Sequence, residues 1–208
     1  MKGMHNKLLK VDLSNSTIQE EPIDDQLIED FVGGRGLATK LFVDMTKAQL
    51  DPLSEDNALI FATGPLTSTV VPTSGRSALV TKSPLTKGIL YSNTGGHFGN
   101  TLKNNGYDVL VVLGKASSPM YLVLDEKEGP KLKSAEEIWG LNTRETMDKI
   151  KELEGDRVHA VMIGPAGENQ VLISSIMNDG DHRAFGRGGC GAVMGSKNLK
   201  AIVVNRGT

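Results

Sequence analysis

The segment Asp181-His-Arg-Ala-Phe-Gly-Arg-Gly-Gly-Cys-Gly-Ala-Val-Met-Gly-Ser-Lys-Asn sets two arginines among closely spaced glycines. Glycine has no Cβ, so its backbone can approach a ligand closely and take up positive φ. Free N–H groups in such a loop, and at the helix that follows, form an anion site. Arg183 and Arg187 add forked donors suited to phosphate. An earlier stretch has the same character. Thr73-Ser-Gly-Arg-Ser-Ala puts Arg76 just before a strand, and Tyr91-Ser-Asn-Thr-Gly-Gly-His-Phe-Gly follows, where Asn93 and Gly95 offer amide and carbonyl groups. The plainer readings are tight turns, a surface ion pair for Arg76 and a turn role for Asn93. Two such segments in one chain favour binding, and they predict a paired site for the phosphate ends of a bulky anionic cofactor. Neither matches a Walker loop or a dinucleotide fingerprint in its strand–helix setting. Gly33-Gly-Arg-Gly is a weaker third candidate, because a glycine break between two helices explains it.

Other chemistry finds less support. His5, His97, His159 and His182 show no metal spacing. His97 and His182 fall inside the glycine segments, where exposed loop positions are the simpler expectation. The single cysteine, Cys190, excludes an intrachain disulfide and a thiolate set for an iron–sulfur cluster or structural zinc. Its glycine neighbours favour a small buried residue over a reactive thiol. No Ser/His/Asp or paired-carboxylate arrangement emerges from spacing.

The elements that must position these segments are mostly strands. Leu8–Leu13 and Ile18–Pro22 read as a hairpin, and Asp24 or Asp25 caps a short helix that Gly33-Gly34-Arg35-Gly36 stops before Leu37–Met45 restarts. Ala58–Ala62, Ser77–Thr81 and Asp108–Leu113 are expected as strands, Tyr91–Gly99 as a polar loop and Asn100–Asn104 as a short helix. Met120–Leu124 and Pro130–Lys133 suggest a second hairpin. Thr143 opens the best helix, Arg144–Leu153, and Val158–Ile163, Val171–Met177 and Ala201–Val204 complete the strands. The fold class is α+β, β-rich with short helices, over residues 1–208.

An imperfect repeat runs through this pattern. Ile60-Phe-Ala-Thr-Gly-Pro is echoed by Val161-Met-Ile-Gly-Pro, and Gly95-Gly-His-Phe-Gly by Gly188-Gly-Cys-Gly-Ala. The shared order is strand, Gly-Pro, arginine loop, Gly-Gly, short helix, Asn, buried strand. Such an internal duplication would set the two glycine loops about one cleft.

Composition bounds the setting. With 38% hydrophobic and 23% charged residues and a net charge of −2, the chain resembles an ordinary globular protein. Scattered basic residues and only 4% aromatics argue against a nucleic-acid partner. No apolar run is long enough to cross a bilayer and no apolar signal region opens the chain, so a cytoplasmic, membrane-free setting is expected.

The residues also resemble a known family. Phe31-Val-Gly-Gly-Arg-Gly-Leu-Ala, Ser74-Gly-Arg-Ser-Ala, Lys82-Ser-Pro-Leu-Thr, Ser92-Asn-Thr-Gly-Gly-His-Phe-Gly, Met177-Asn-Asp and Arg187-Gly-Gly-Cys-Gly-Ala-Val-Met-Gly-Ser-Lys-Asn look like the N-terminal domain of the tungsten-dependent aldehyde:ferredoxin oxidoreductases. That resemblance implies a single domain of two related β-sheets beneath a tungsten (or molybdenum) bis-pyranopterin. It implies cofactor contacts at Arg76, Asn93, Gly95, Arg183, Ala184, Gly186 and Arg187. It also implies magnesium held by the backbone carbonyls of Asn93 and Ala184, since that ion takes oxygen ligands. No residue of this chain is expected to be catalytic. The implied reaction oxidises an aldehyde to a carboxylic acid and passes electrons to ferredoxin, with a [4Fe–4S] cluster only in domains not present here. Partner expectations are therefore the cluster-bearing domains or subunit, ferredoxin through the whole enzyme, and a homodimer. The alternatives are a stand-alone pterin or phosphate-ligand carrier without catalytic activity and an interaction protein that docks through its cofactor face. Asp181-His182 stands out as a variable insertion.

Overall fold

The computed structural model describes residues 1–180 and 183–205; Asp181 and His182 lie outside the described residues. The first half contains β1 (Lys7–Asp12), β2 (Thr17–Pro22), α1 (Asp25–Phe31), α2 (Gly34–Met45), β3 (Leu59–Ala62), β4 (Ser77–Lys82), β5 (Ile89–Thr94), α3 (Phe98–Asn104) and β6 (Val109–Leu113). The second contains β7 (Met120–Asp125), β8 (Gly129–Ser134), α4 (Thr143–Glu154), β9 (Val158–Met162), α5 (Pro165–Glu168), β10 (Ile176–Asn178), β11 (Arg183–Phe185), α6 (Cys190–Ser196) and β12 (Leu199–Asn205).

These strands form two six-stranded sheets, β2-β1-β6-β3-β4-β5 and β11-β10-β9-β12-β7-β8. Read outward from its hairpin, the second sheet repeats the first strand for strand. In each, the first hairpin strand pairs parallel to the last strand of its half, β1 with β6 and β7 with β12, and the other pairings are antiparallel. The duplication read from the glycine loops is thus a duplication of topology, and the α+β, strand-rich class holds. One detail of the repeat does not. Arg76 precedes β4, whose counterpart is β10, whereas Arg183 opens β11, the counterpart of β5, so the two halves contribute inequivalent arginines.

Alternation along the strands sorts side chains into three layers. Leu9, Phe61, Leu110, Leu122, Val161 and Ile202 belong to the core shared by the two sheets, which also takes in Phe98 of α3 and Val193 of α6. The opposite faces pack on α1 and α2 in the first half, through Ile60, Val80 and Val111, and on α4 in the second, through Ala160, Met162 and Val203. Strands covered on both faces read as continuous apolar runs, which is why β3, β6, β9 and β12 are legible in the sequence.

Four expectations need correction. The loop expected at Tyr91–Gly99 is the edge strand β5 followed by the start of α3; β5 pairs only with β4, and an edge position tolerates the polar residues that hid it. Val171–Met177 is not one strand: Val171 and Ser174 donate to Ala166 and Val171 carbonyls in successive turns, and only Ile176–Asn178 enters the sheet. The cap of α4 is Asn142, in a capping box with Glu145, not Thr143. Helix α2 begins inside the glycine run, where the Gly34 N–H donates to the Thr63 carbonyl at 2.8 Å.

Helices α5 and α6 touch backbone to backbone. The Gly167 carbonyl oxygen occupies the place a Cβ on Gly195 would take. Gly195→Ala is expected to lower stability by about 1–3 kcal/mol through overpacking, measured as a reduced urea midpoint. Lys197 is fully buried, and its Nζ donates to the carbonyls of Glu55 (3.1 Å) and Gly114 (3.0 Å) in the first half. Burial pushes its pKa down to about 8. Between that value and the ordinary lysine range the unfolded chain binds more protons than the folded one, so stability contributed by this group rises with pH there. Denaturation titrations of the chain and of Lys197→Met from pH 7 to 10.5 should show that rise in the former and its absence in the latter.

Candidate functional site

The two predicted segments meet where the edge strands β5 and β11 run side by side. The Gly186 N–H donates to Ser92 Oγ at 2.9 Å, and the Ser83 hydroxyl donates to the Gly188 carbonyl at 2.6 Å. At the other end of the seam the Arg183 side chain crosses the bare backbone of the first glycine loop. A Cβ placed on Gly95 would lie 3.8 Å from Arg183 Cδ and Nε, and one on Gly96 3.4 Å from Arg183 Cδ. Ser92 against Gly186 and Gly95 against Arg183 set the two strands antiparallel across the seam, with Asn93 and Ala184 between those contacts.

Phe185 anchors this arrangement. It is fully buried, and with Phe98 it flanks Phe61 in edge-to-face contacts with centroids 5.4 and 5.6 Å apart. Such pairs contribute about 0.5–1.5 kcal/mol beyond their burial. The three-residue strand β11 therefore plants one aromatic in the shared core while Arg183, two residues earlier, stays exposed over Gly95 and Gly96.

Asn178 is a residue the spacing alone did not single out. It is buried, and its Nδ2 donates to the Gly95 carbonyl at 2.7 Å; its Oδ1 is buried without a hydrogen-bond partner among the described residues. Gly96 has φ 98° and lies directly over it, where an added Cβ would stand 2.8 Å from Nδ2. Its neighbour Asp179 accepts from the Ala160 N–H at 3.1 Å and lies 3.2 Å from His159 Nδ1. The His159 ring stacks on His97, centroids 4.6 Å apart, beside the same loop.

The predicted residues can now be placed. Arg76 is exposed and hydrogen-bonded to Asn93 Oδ1, and Asn93 leads through Thr94 to Gly95 and Arg183, so Arg76, Asn93, Gly95, Arg183, Ala184 and Gly186 share one surface. Gly186 faces open space, since an added Cβ would meet no atom within 4 Å. Arg187 is exposed beside it, and no described contact ties its side chain to the others. Cys190 is fully buried, its Sγ 3.3 Å from the Phe185 carbonyl, and burial pushes its thiol up to about 11, as an inert core residue requires.

This surface suits anions. Arginines stand over backbone that carries no side chains, and β5 and β11 each end their own sheet, so backbone groups along their outer edges are not taken up by a sheet ladder. Among the described residues no group of three or more His, Cys, Asp or Glu side chains converges for a metal ion. Backbone carbonyls along β5 and β11 are the oxygen ligands a magnesium ion would find here. No helix among the described residues is long and apolar enough to cross a membrane.

The sequence matches the family model described as aldehyde ferredoxin oxidoreductase, N-terminal domain, over residues 8–206. It is 49% identical over 205 residues to the tungsten-containing aldehyde ferredoxin oxidoreductase of Pyrococcus furiosus, covering 98% of this chain and 34% of that protein. It is 35% identical over 219 residues to the aliphatic sulfonate oxidoreductase, WOR-like subunit, of the same organism, again covering 98% of this chain and 34% of the relative. Among solved structures, the active site complex BamBC of benzoyl coenzyme A reductase with 1,5 dienoyl-CoA superposes with a TM-score of 0.94 at 35% identity, over 98% of this chain and 31% of that one. The chain thus spans about a third of the length of the relatives it matches.

Loss of the Asn178 amide should loosen the loop it holds. In Asn178→Ala, hydrogen exchange at Gly95–His97 is expected to rise about tenfold relative to β6, the equivalent of one hydrogen bond. Unchanged loop protection would remove Asn178 from this role.

Proposed function

Because the chain belongs to the aldehyde ferredoxin oxidoreductase family, as its N-terminal domain, we propose that it is the cradle for the phosphate ends of a tungsten-carrying (or molybdenum-carrying) bis-pyranopterin. Arg76 and Arg183, with Arg187, hold the phosphates. Glycines 95 and 186 let the cofactor approach the backbone. The carbonyls of Asn93 and Ala184 supply oxygen ligands to a bridging magnesium. The carrying observation is Arg183 of the second half lying across the Gly95–Gly96 backbone of the first, with Asn178 buried beneath and its Oδ1 unpartnered among the described residues.

When bound, the metal–pterin group supplies the redox chemistry, and this domain binds and orients it. The relatives' names span an aldehyde, a sulfonate and a benzoyl-CoA system, so a role shared by all three concerns the cofactor more than the substrate. For this chain the reading is the aldehyde reaction: two-electron oxidation to the carboxylic acid, water supplying the oxygen and ferredoxin the electron sink. The remaining two thirds of such an enzyme carries the [4Fe–4S] cluster and most of the substrate pocket.

Co-expression with the missing domains, followed by metal and pterin analysis of the purified assembly, tests this. The double variant Arg76→Ala/Arg187→Ala is expected to lower cofactor occupancy at least about tenfold, as loss of two charge-assisted phosphate contacts requires. Full occupancy in the double variant would sink the assignment of those arginines.

A further inference from the structure

The third glycine motif, Gly33-Gly-Arg-Gly, has no part in the cradle described above, yet it borders the same surface. Gly33 and Gly34 both have positive φ, 143° and 50°. A Cβ on Gly33 would stand 3.0 Å from the Thr63 carbonyl oxygen and 3.2 Å from Gly64 Cα. Bare backbone here lets the start of α2 sit against the end of β3, and this close approach carries Arg35 out over β5. Its guanidinium lies 5.1 Å from the centroid of the Tyr91 ring.

Tyr91 and Asn93 are two residues apart on β5 and point to one face of the strand, roughly 7 Å apart. Arg35 stands over the first and Arg76 is hydrogen-bonded to the second. Both arginines line a groove of about 420 Å³ that also includes Val32, Leu66, Thr73 and Ser74. No acidic side chain lines it, and among the described residues neither guanidinium has a carboxylate within ion-pair reach. Two like charges held over one strand, with hydroxyls at one end and half-exposed apolar side chains at the other, call for an anion with an apolar or flat body.

We propose that this groove is a binding site for an organic phosphate: the phosphoryl group accepts from Arg35 and Arg76, and the attached ring or chain lies along Tyr91, Val32 and Leu66. The guanidinium fork matches a tetrahedral oxyanion and also stacks on an aromatic face, which lysine does not do. This inference rests on the same face as the proposed cofactor cradle and shares Arg76 and Asn93 with it, whereas Arg35, Tyr91, Val32 and Leu66 lie outside that cradle. The phosphate could be the cofactor's own or that of a separate molecule.

The probe is phenyl phosphate, titrated calorimetrically into the 208-residue chain. Arg35→Gln is expected to weaken its binding about tenfold, the loss of one charge-assisted contact. Tyr91→Ser should weaken phenyl phosphate more than inorganic phosphate, while Tyr91→Phe retains both. Circular dichroism checks that each variant is folded, and Arg35→Lys should restore part of the affinity but not the preference for the aromatic ester. Unchanged affinity for phenyl phosphate in a folded Arg35→Gln would overturn the proposal. Repeating the titration on the cofactor-loaded assembly separates the two sources: competition assigns the groove to the cofactor's phosphate, and undiminished binding to a separate organic phosphate. Cofactor occupancy in Arg183→Gln is the independent readout of the cradle, so either reading can fail while the other stands.

Discussion

Across the seam between the two halves, backbone meets side chain at distances that leave no room for a Cβ. A side chain on Gly188 would begin 2.5 Å from Leu90, and one on Gly189 would begin 2.7 Å from Pro84 Cγ. The Gly186 N–H reaches Ser92 across the same line. Everything that defines the candidate site follows from this closeness. It brings the edge strands of two separate sheets side by side, lays Arg183 on the first glycine loop, and leaves a surface made of peptide groups rather than side chains. The glycines therefore answer two demands at once. They permit the packing, and they keep the resulting face open to a large anion.

Buried charge fixes elements within each half, and one buried lysine reaches across between the halves. Lys103 pairs with Asp108 where α3 turns into β6, and Lys200 pairs with Glu168 where β12 meets α5, both among nearly inaccessible side chains. Among the described residues Lys197 has no carboxylate partner within ion-pair reach, and its Nζ donates to two carbonyls of the opposite half. Burying ions is costly, and removing one partner of a buried pair typically costs about 3–5 kcal/mol, so such groups resist drift in the relative placement of the elements they join. The Asp108 carboxylate is also within 3.3 Å of the Lys7 N–H, which ties β1 to the same corner. Hydrophobic burial alone, being non-directional, would hold the sheets together without setting the loops in register.

The central strands were legible because burial on both faces writes an unbroken apolar run, as in Val109–Leu113. Strand β5 was not, because an edge strand half open to solvent carries residues such as Ser92 and Asn93 that belong equally to a loop. The run Val171–Ile173 misled in the opposite direction: its side chains are apolar yet 44–66% exposed on a turn. At the site, glycine and arginine types signalled an anion surface, and the family resemblance named the particular residues. Asn178 and Tyr91 were not legible as site residues. A buried asparagine that fastens a distant loop and a ring beneath a guanidinium are tertiary facts, set by which strands become neighbours. The repeat was readable as an order of elements, whereas the mismatch between Arg76 and Arg183 appeared only once the strands were paired.

The closure of each sheet within its own half bears on how the chain is made. Every ladder of the first sheet lies between residues 7 and 113, and every ladder of the second between 120 and 205. On a ribosome adding about 10 residues per second, the first sheet is complete roughly ten seconds before the second. During that interval Leu9, Phe61, Leu79 and Leu110 present an apolar face that only α3, through Phe98 and Leu102, covers in part. The nascent first half is thus a sticky intermediate whose natural lid is its own twin, and two neighbouring nascent chains could supply that lid to each other. Synthesis rate and chaperone cover across this stretch govern whether the halves close in cis or exchange between molecules.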